Sequence, residues 1–177
     1  MKTSKALILG VLIVAAVIVL QLGRKKGQIA NVNMVEGTTV PAFTLTDSGG
    51  KSVSYDAFKG KPLIINFWAT WCPSCKEELP SLQSFYNDEK SGQSVNIVTV
   101  LYRDDMSSAQ RFMKKHNYDF PVYTDAGGTI AHSFGLTGVP ETYLIDKNGI
   151  VVRRILGPLD WQTSSGQQLL SELLSRI

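Results

Sequence analysis

The chain has only two cysteines, Cys72 and Cys75, and they stand where a β-rich run turns into a helical one. Ahead of them, Pro62-Leu63-Ile64-Ile65-Asn66-Phe67-Trp68 reads as a short buried strand. From Cys75 onward the apolar side chains recur at Leu79, Leu82, Phe85 and Tyr86, the spacing of one helical face. Pro73 suits the first helical position, because the amide it lacks would have no partner there, and this makes Cys72 the cap. Free amides and the positive end of the helix dipole then face the Cys72 sulfur and favour its thiolate, the reactive form. Cys72 is therefore the expected nucleophile. Cys75, one turn in and in line with the apolar stripe, is the expected resolving thiol. A zinc site would need about four ligands. Besides the cysteines the chain offers only His116 and His132, with no ligand spacing between them. The pair reads as a redox-active dithiol that forms a Cys72 to Cys75 disulfide and needs no metal and no cofactor.

Phe67-Trp68-Ala69-Thr70-Trp71-Cys72-Pro73-Ser74-Cys75, followed by Pro80 and by Gly138-Val139-Pro140-Glu141-Thr142, resembles the TlpA/ResA group of membrane-anchored thiol-disulfide oxidoreductases in the thioredoxin superfamily. The likeness runs from about Val40 to the C-terminus. It implies an α/β, thioredoxin-like fold: a central mixed sheet flanked by helices, with an N-terminal β-hairpin and a central insertion, preceded by one transmembrane helix. It also implies an active-site glutamate at Glu78 and a cis-proline at Pro140, opposite the cysteine pair.

Geometry separates the two glutamates that follow Cys75. At about 100° per residue, Glu78 lies roughly 60° from Cys75 around the helix and Glu77 roughly 160° away, so Glu78 borders the buried face and Glu77 meets water. A half-buried carboxylate beside the resolving thiol has a raised pKa and can exchange protons with it. Asn66 cannot titrate. It stands where plain thioredoxin has a buried aspartate, which leaves Glu78 as the candidate base. The expected substrate contacts are Trp71, in the turn; Val139, whose carbonyl and amide a neighbouring proline leaves free to pair with an extended strand; Pro140; and Glu141 beside it. Pro80 falls inside the helix and should bend it.

Ala6 to Leu22 is apolar apart from Gln21, 17 residues with basic flanks, at the short end of what spans a bilayer. No small-x-small cleavage site follows the apolar core, so an uncleaved anchor is expected over 6–22, with a cytoplasmic N-terminus at 1–5 and a polar tether over 23–39. Net charge is +3, but beyond Lys26 there are 13 basic and 15 acidic residues, a balance of −2. Nucleic-acid binding has no electrostatic support. The resemblance implies a catalytic domain on the extracytoplasmic side of the cell membrane, acting as a reductant of protein disulfides such as apocytochrome c and recharged by a membrane electron donor of the CcdA or DsbD type. The chain is expected to work as a monomer.

Within the domain, residues 40–177, Asp47-Ser48-Gly49-Gly50 signals a hairpin between Val40–Leu45 and Lys51–Ser54. Tyr55–Lys59 suggests one helical turn, Ser94–Leu101 a second strand, and Ser107–His116 a helix capped by Asp104 or Asp105. Asp146-Lys147-Asn148-Gly149 joins two more strands, and Leu169, Leu170, Leu173, Leu174 and Ile177 line a terminal helix. Two other functions are weighed on the same residues. Peroxiredoxins carry Pro-x-x-x-Thr-x-x-Cys, but Ala69 and Ile65 occupy those positions before Cys72. A thioredoxin-like copper carrier would use His132 as a third ligand and suits soft thiolates, but such carriers leave three residues between their cysteines and this chain leaves two.

Overall fold

The computed structural model describes residues 35–92 and 94–175. The expected cytoplasmic end and membrane span, and most of the tether, lie outside the described residues. Among the described residues no helix is long and apolar enough to cross a membrane.

The centre of the domain is β3 (Leu63–Trp68), buried at every position, as a near-continuous apolar run demands of a strand covered on both faces. β4 (Asn96–Leu101) runs parallel to it and β5 (Val122–Thr124) parallel to β4. On the other side β6 (Glu141–Ile145) pairs antiparallel with β3, and β7 (Val151–Leu156) antiparallel with β6. The hairpin β1 (Thr44–Asp47) and β2 (Ser52–Ser54) joins through β5, giving a seven-stranded mixed sheet of order β2-β1-β5-β4-β3-β6-β7.

Side chains alternate across β3. Ile64 and Trp68 pack with Leu79, Leu82 and Phe85 of α1 (Pro73–Gly92), Ala109 and Met113 of α2 (Met106–His116), and Leu173 of α4 (Ser164–Leu174). Leu63, Ile65 and Phe67 pack with Tyr55 of a 3₁₀ turn (Tyr55–Phe58) and with Ile130 and Ala131 of α3 (Thr129–Ser133). Helices thus cover both faces of a mixed sheet, a thioredoxin-like arrangement.

One local expectation changes and two become more specific. The tether ends early, since Gly37 N–H donates to Val151 O (2.8 Å), Val151 N–H to Thr38 O (2.9 Å) and Val40 N–H to Gly149 O (2.9 Å), fastening residues 37–40 to the β6–β7 hairpin. In that hairpin's turn only Gly149 takes positive φ (+80°), while the Asp146 carboxylate accepts the Asn148 and Ile150 amides at 2.9 Å each. At α2 the cap is Asp105, which accepts Ser108 N–H at 2.8 Å. Asp104 reaches instead to the turn that carries the cysteines.

Candidate active site

Helix α1 begins at Pro73, directly after Cys72. The sulfur of Cys72 occupies the place of a capping oxygen and accepts Cys75 N–H at 3.1 Å, with the Ser74 hydroxyl 3.5 Å away. Cys72 and Cys75 are joined as a disulfide; Cys72 is 3% exposed and Cys75 fully buried. The carbonyl oxygen of Val139 stands 3.5 Å from the Cys72 sulfur, and the Val139–Pro140 bond is cis. The two ends of the site, separate in sequence, meet because β6 leaves this proline to pair directly with β3.

The turn before the helix is braced by the loop after β4. Asp104 Oδ2 accepts Thr70 N–H at 2.6 Å, the Trp71 indole donates to Arg103 O at 3.1 Å, and Tyr102 N–H donates to Trp68 O at 2.9 Å. Arg103 adopts φ +49° to present that carbonyl. Trp71 is 54% exposed beside the disulfide, a large aromatic surface at the mouth of the site.

Glu78 lies deeper than helix geometry alone suggests, at 2% exposure rather than half-buried, because the loop before α4 closes over it. The Trp161 indole donates to Oε1 at 3.1 Å, Asn66 Nδ2 donates to Oε2 at 3.3 Å, and a backbone bond from Leu159 completes the shell. Burial pushes the carboxyl up to about 7; the bonds from Trp161, Asn66 and Leu159 favour the ionised form but do not offset the lost hydration. Asn66, itself fully buried, also donates to Thr142 Oγ1 at 2.8 Å, and its Oδ1 has no hydrogen-bond partner. Turning that amide over would offer Oδ1 to a protonated Glu78 and to the Thr142 hydroxyl. An asparagine here serves either protonation state of the carboxyl. An ionised aspartate has no donor to offer the ionised form.

The structure therefore gathers Cys72, Cys75, Trp71, Val139 and Pro140 around one disulfide, with Glu78 buried one helical turn beyond Cys75. Glu141 is not with them. It is 1% exposed, and its position beside Tyr143 in β6 turns it to the sheet face opposite Asn66 and Glu78. The expected substrate contact is thus an internal ion pair, with Arg154 Nε donating to its Oε1 at 2.8 Å. Trp161, Thr142 and Asp104 join the site, although the sequence marks none of them as a site residue. Their places depend on the β3–β6 register and on two loops, and only the acidic pair at Asp104 and Asp105 left a local signal.

Residues 35–170 match the family model described as Redoxin. The chain belongs to the redoxin family. It is 35% identical over 141 residues to thiol-disulfide oxidoreductase ResA of Bacillus thuringiensis subsp. konkukian, covering 80% of this chain and 78% of that one. ResA of Bacillus subtilis is 36% identical over 124 residues, covering 70% and 69%. Thiol:disulfide interchange protein DsbE of Pseudomonas aeruginosa is 37% identical over 145 residues, covering 77% and 78%. Among solved structures, a putative DsbE from Chlorobium tepidum superposes with a TM-score of 0.69 at 26% identity, over 79% of this chain and 99% of that one. StoA from Bacillus subtilis superposes with a TM-score of 0.62 at 29% identity, over 76% and 98%. This redoxin is a thiol-disulfide oxidoreductase of the ResA/DsbE type, and it carries the cysteine pair through which thioredoxin-like oxidoreductases work.

Proposed function

We propose that this redoxin is a reductase of protein disulfides, tethered by its N-terminal apolar segment with the catalytic domain outside the cytoplasm. Apocytochrome c is the proposed substrate, and a membrane carrier of the CcdA or DsbD type the proposed electron donor. The direction of transfer is carried by one observation. Both contacts that can donate to the Cys72 sulfur, from the Cys75 amide and the Ser74 hydroxyl, come from uncharged groups. A strong oxidant needs a thiolate of unusual stability, and neutral donors supply less of it than a cation would.

In the reduced chain the Cys72 thiolate attacks one sulfur of the substrate disulfide. A Cys72-to-substrate S–S bond forms, the substrate's own S–S bond breaks, and its second sulfur leaves as a thiolate that takes a proton from solvent. Cys75 then gives its proton to the Glu78 carboxylate and attacks the Cys72 sulfur. The mixed disulfide breaks, the Cys72 to Cys75 bond forms, and the substrate leaves with both sulfurs reduced and two electrons gained. With Glu78 near 7, acceptance and return of that proton are nearly balanced at neutral pH. Trp71 and the backbone of Val139 flank the attacked sulfur, where an extended chain can lie along the edge before Pro140.

Replacing Cys75 by Ser removes the second attack. A Cys75→Ser chain mixed with an oxidised apocytochrome c haem-site peptide is expected to hold it covalently on Cys72, with the mass of the adduct. Clean release of reduced peptide from that variant would contradict the assignment.

A further inference from the structure

The carboxyl of Glu141 is buried and paired with Arg154, yet it does not face the cysteines. A buried charge is costly unless several donors meet it, and Glu141 is fully met. Oε2 accepts both the amide and the hydroxyl of Thr137, at 3.2 and 3.1 Å, while Oε1 accepts Arg154 Nε–H at 2.8 Å and faces the Tyr143 hydroxyl. Arg154 continues the network by donating from Nη2 to Gly135 O at 3.0 Å. The Tyr143 hydroxyl also lies 2.8 Å from Phe134 O, so its one proton stands between that carbonyl and the carboxylate.

These contacts converge on one stretch of backbone. Phe134, Gly135 and Thr137 are all held, and the chain runs from them through Gly138 to Val139 and the cis bond to Pro140. Gly135 takes φ +63°, a turn the Arg154 guanidinium bridges from outside. Val139 O stands 3.5 Å from the Cys72 sulfur. Leu136, inside the clamped stretch, also lines a cavity of about 670 Å³ shared with Arg103, the residue whose carbonyl holds Trp71. The clamp therefore fixes both the edge on which a substrate strand would lie and part of that cavity's wall. It does so from across the sheet, with the β3 partner of Glu141, Phe67, packed on that same face away from Cys75.

We infer that Glu141, paired with Arg154, is a positioning residue for polypeptide substrates, holding the loop before Pro140 so that Val139 can pair with an extended chain. This rests on the proposed reductase activity. Loosening the clamp raises the substrate concentration needed for half-maximal rate, because the edge must be ordered at the moment of binding. It leaves the exchange chemistry of Cys72 and Cys75 unchanged, because neither the cysteines nor Glu78 touch it.

The test is single-turnover oxidation of the reduced full chain, followed by loss of free thiols, with insulin as the polypeptide probe and hydroxyethyl disulfide as the small one. Glu141→Gln and Arg154→Lys are expected to raise the half-saturating insulin concentration about fivefold, with the maximal rate and the hydroxyethyl disulfide rate within about twofold of the unaltered chain. Thr137→Val, at an exposed position that removes one donor and keeps the fold, is expected to raise it about twofold. Thr137→Val and Arg154→Lys carry the test where Glu141→Gln does not fold. Unchanged insulin saturation in the folded variants would overturn the inference, and so would equal slowing with both probes, which marks general damage. An unaltered chain that reacts with neither probe would overturn the proposed reductase itself; a chain that reacts with hydroxyethyl disulfide but not with insulin, or an active chain with indifferent variants, overturns only the clamp.

Discussion

The indole N–H of Trp161 donates to Glu78 Oε1 at 3.1 Å, while its ring stacks on Phe85 at a centroid distance of 4.9 Å. One side chain from the loop before α4 thus sets the lid over helix α1 and supplies a donor to its buried carboxylate. Trp161→Phe keeps the stacking and removes the donor. Since that bond favours the ionised form, its loss is expected to raise Glu78 further, moving the pH midpoint of mixed-disulfide resolution up by about one unit. The check is the pH dependence of the resolving step, measured by stopped flow in both chains. An unmoved midpoint would remove Trp161 from the site.

Glu78 also governs stability, and the sign follows from its raised pKa. Relative to the ordinary value of 4.5, the folded value of about 7 means the oxidised protein binds an extra proton in that interval. Its contribution is fully present below pH 4.5 and is lost as pH rises through 7, a change of about 3 kcal/mol. Glu78→Gln should abolish this slope. Urea unfolding of the oxidised chain at pH 4.5, 6 and 8 measures it, and parallel curves for the two chains would contradict the assignment. The same variant is expected to slow resolution about 100-fold at pH 7 by removing the base.

Asn66→Asp would place a second carboxylate at the position from which Asn66 now reaches Glu78 at 3.3 Å. Two such groups share a proton, so the pair should titrate in two separated steps, the upper one above the present value of about 7. The pH profile of resolution should broaden toward alkaline pH, with lower stability at pH 8 than in the unaltered chain. A single unshifted step would show that the two side chains do not interact.

At Gly166 helix α4 passes close against the backbone of the same loop. A Cβ there would lie 2.8 Å from Asp160 O and from the Trp161 Cα, both backbone atoms that cannot turn aside. Gly166→Ala is expected to cost about 2 kcal/mol and to displace Trp161 from Glu78. Reduced stability by urea unfolding, with a pH midpoint for resolution shifted as in Trp161→Phe, is the result that supports the coupling. A stability loss without the shift would show that the lid does not act on Glu78.

The part of the site built within one element could be read from the sequence. Cys72, Pro73 and Cys75 announce a strand, a cap and a helix, and the helical angle from Cys75 picks Glu78 over Glu77 as the glutamate that the fold buries. What crosses between elements could not be read so directly. Glu141 follows Pro140 immediately, yet alternation along β6 turns it away from the cysteines, and only the sheet register decides which face it takes. Trp161 carries no periodic signal; its contact depends on how the loop before α4 folds back. A polar stretch without period reads as a linker, and only the backbone bonds of residues 37–40 to the β6–β7 hairpin show that the domain takes in the tether's inner end. Asp104 and Asp105 were equivalent as caps by composition and are separated only by where Thr70 lies.

The measurement that tests the reductase most directly is the reduction potential of the Cys72 to Cys75 pair, determined on the full chain by equilibration against glutathione and dithiothreitol buffers. A value near or below about −230 mV is expected, since among the described residues the donors to the Cys72 sulfur are neutral. A value above about −150 mV would make the pair an oxidant and contradict the proposed direction of electron flow.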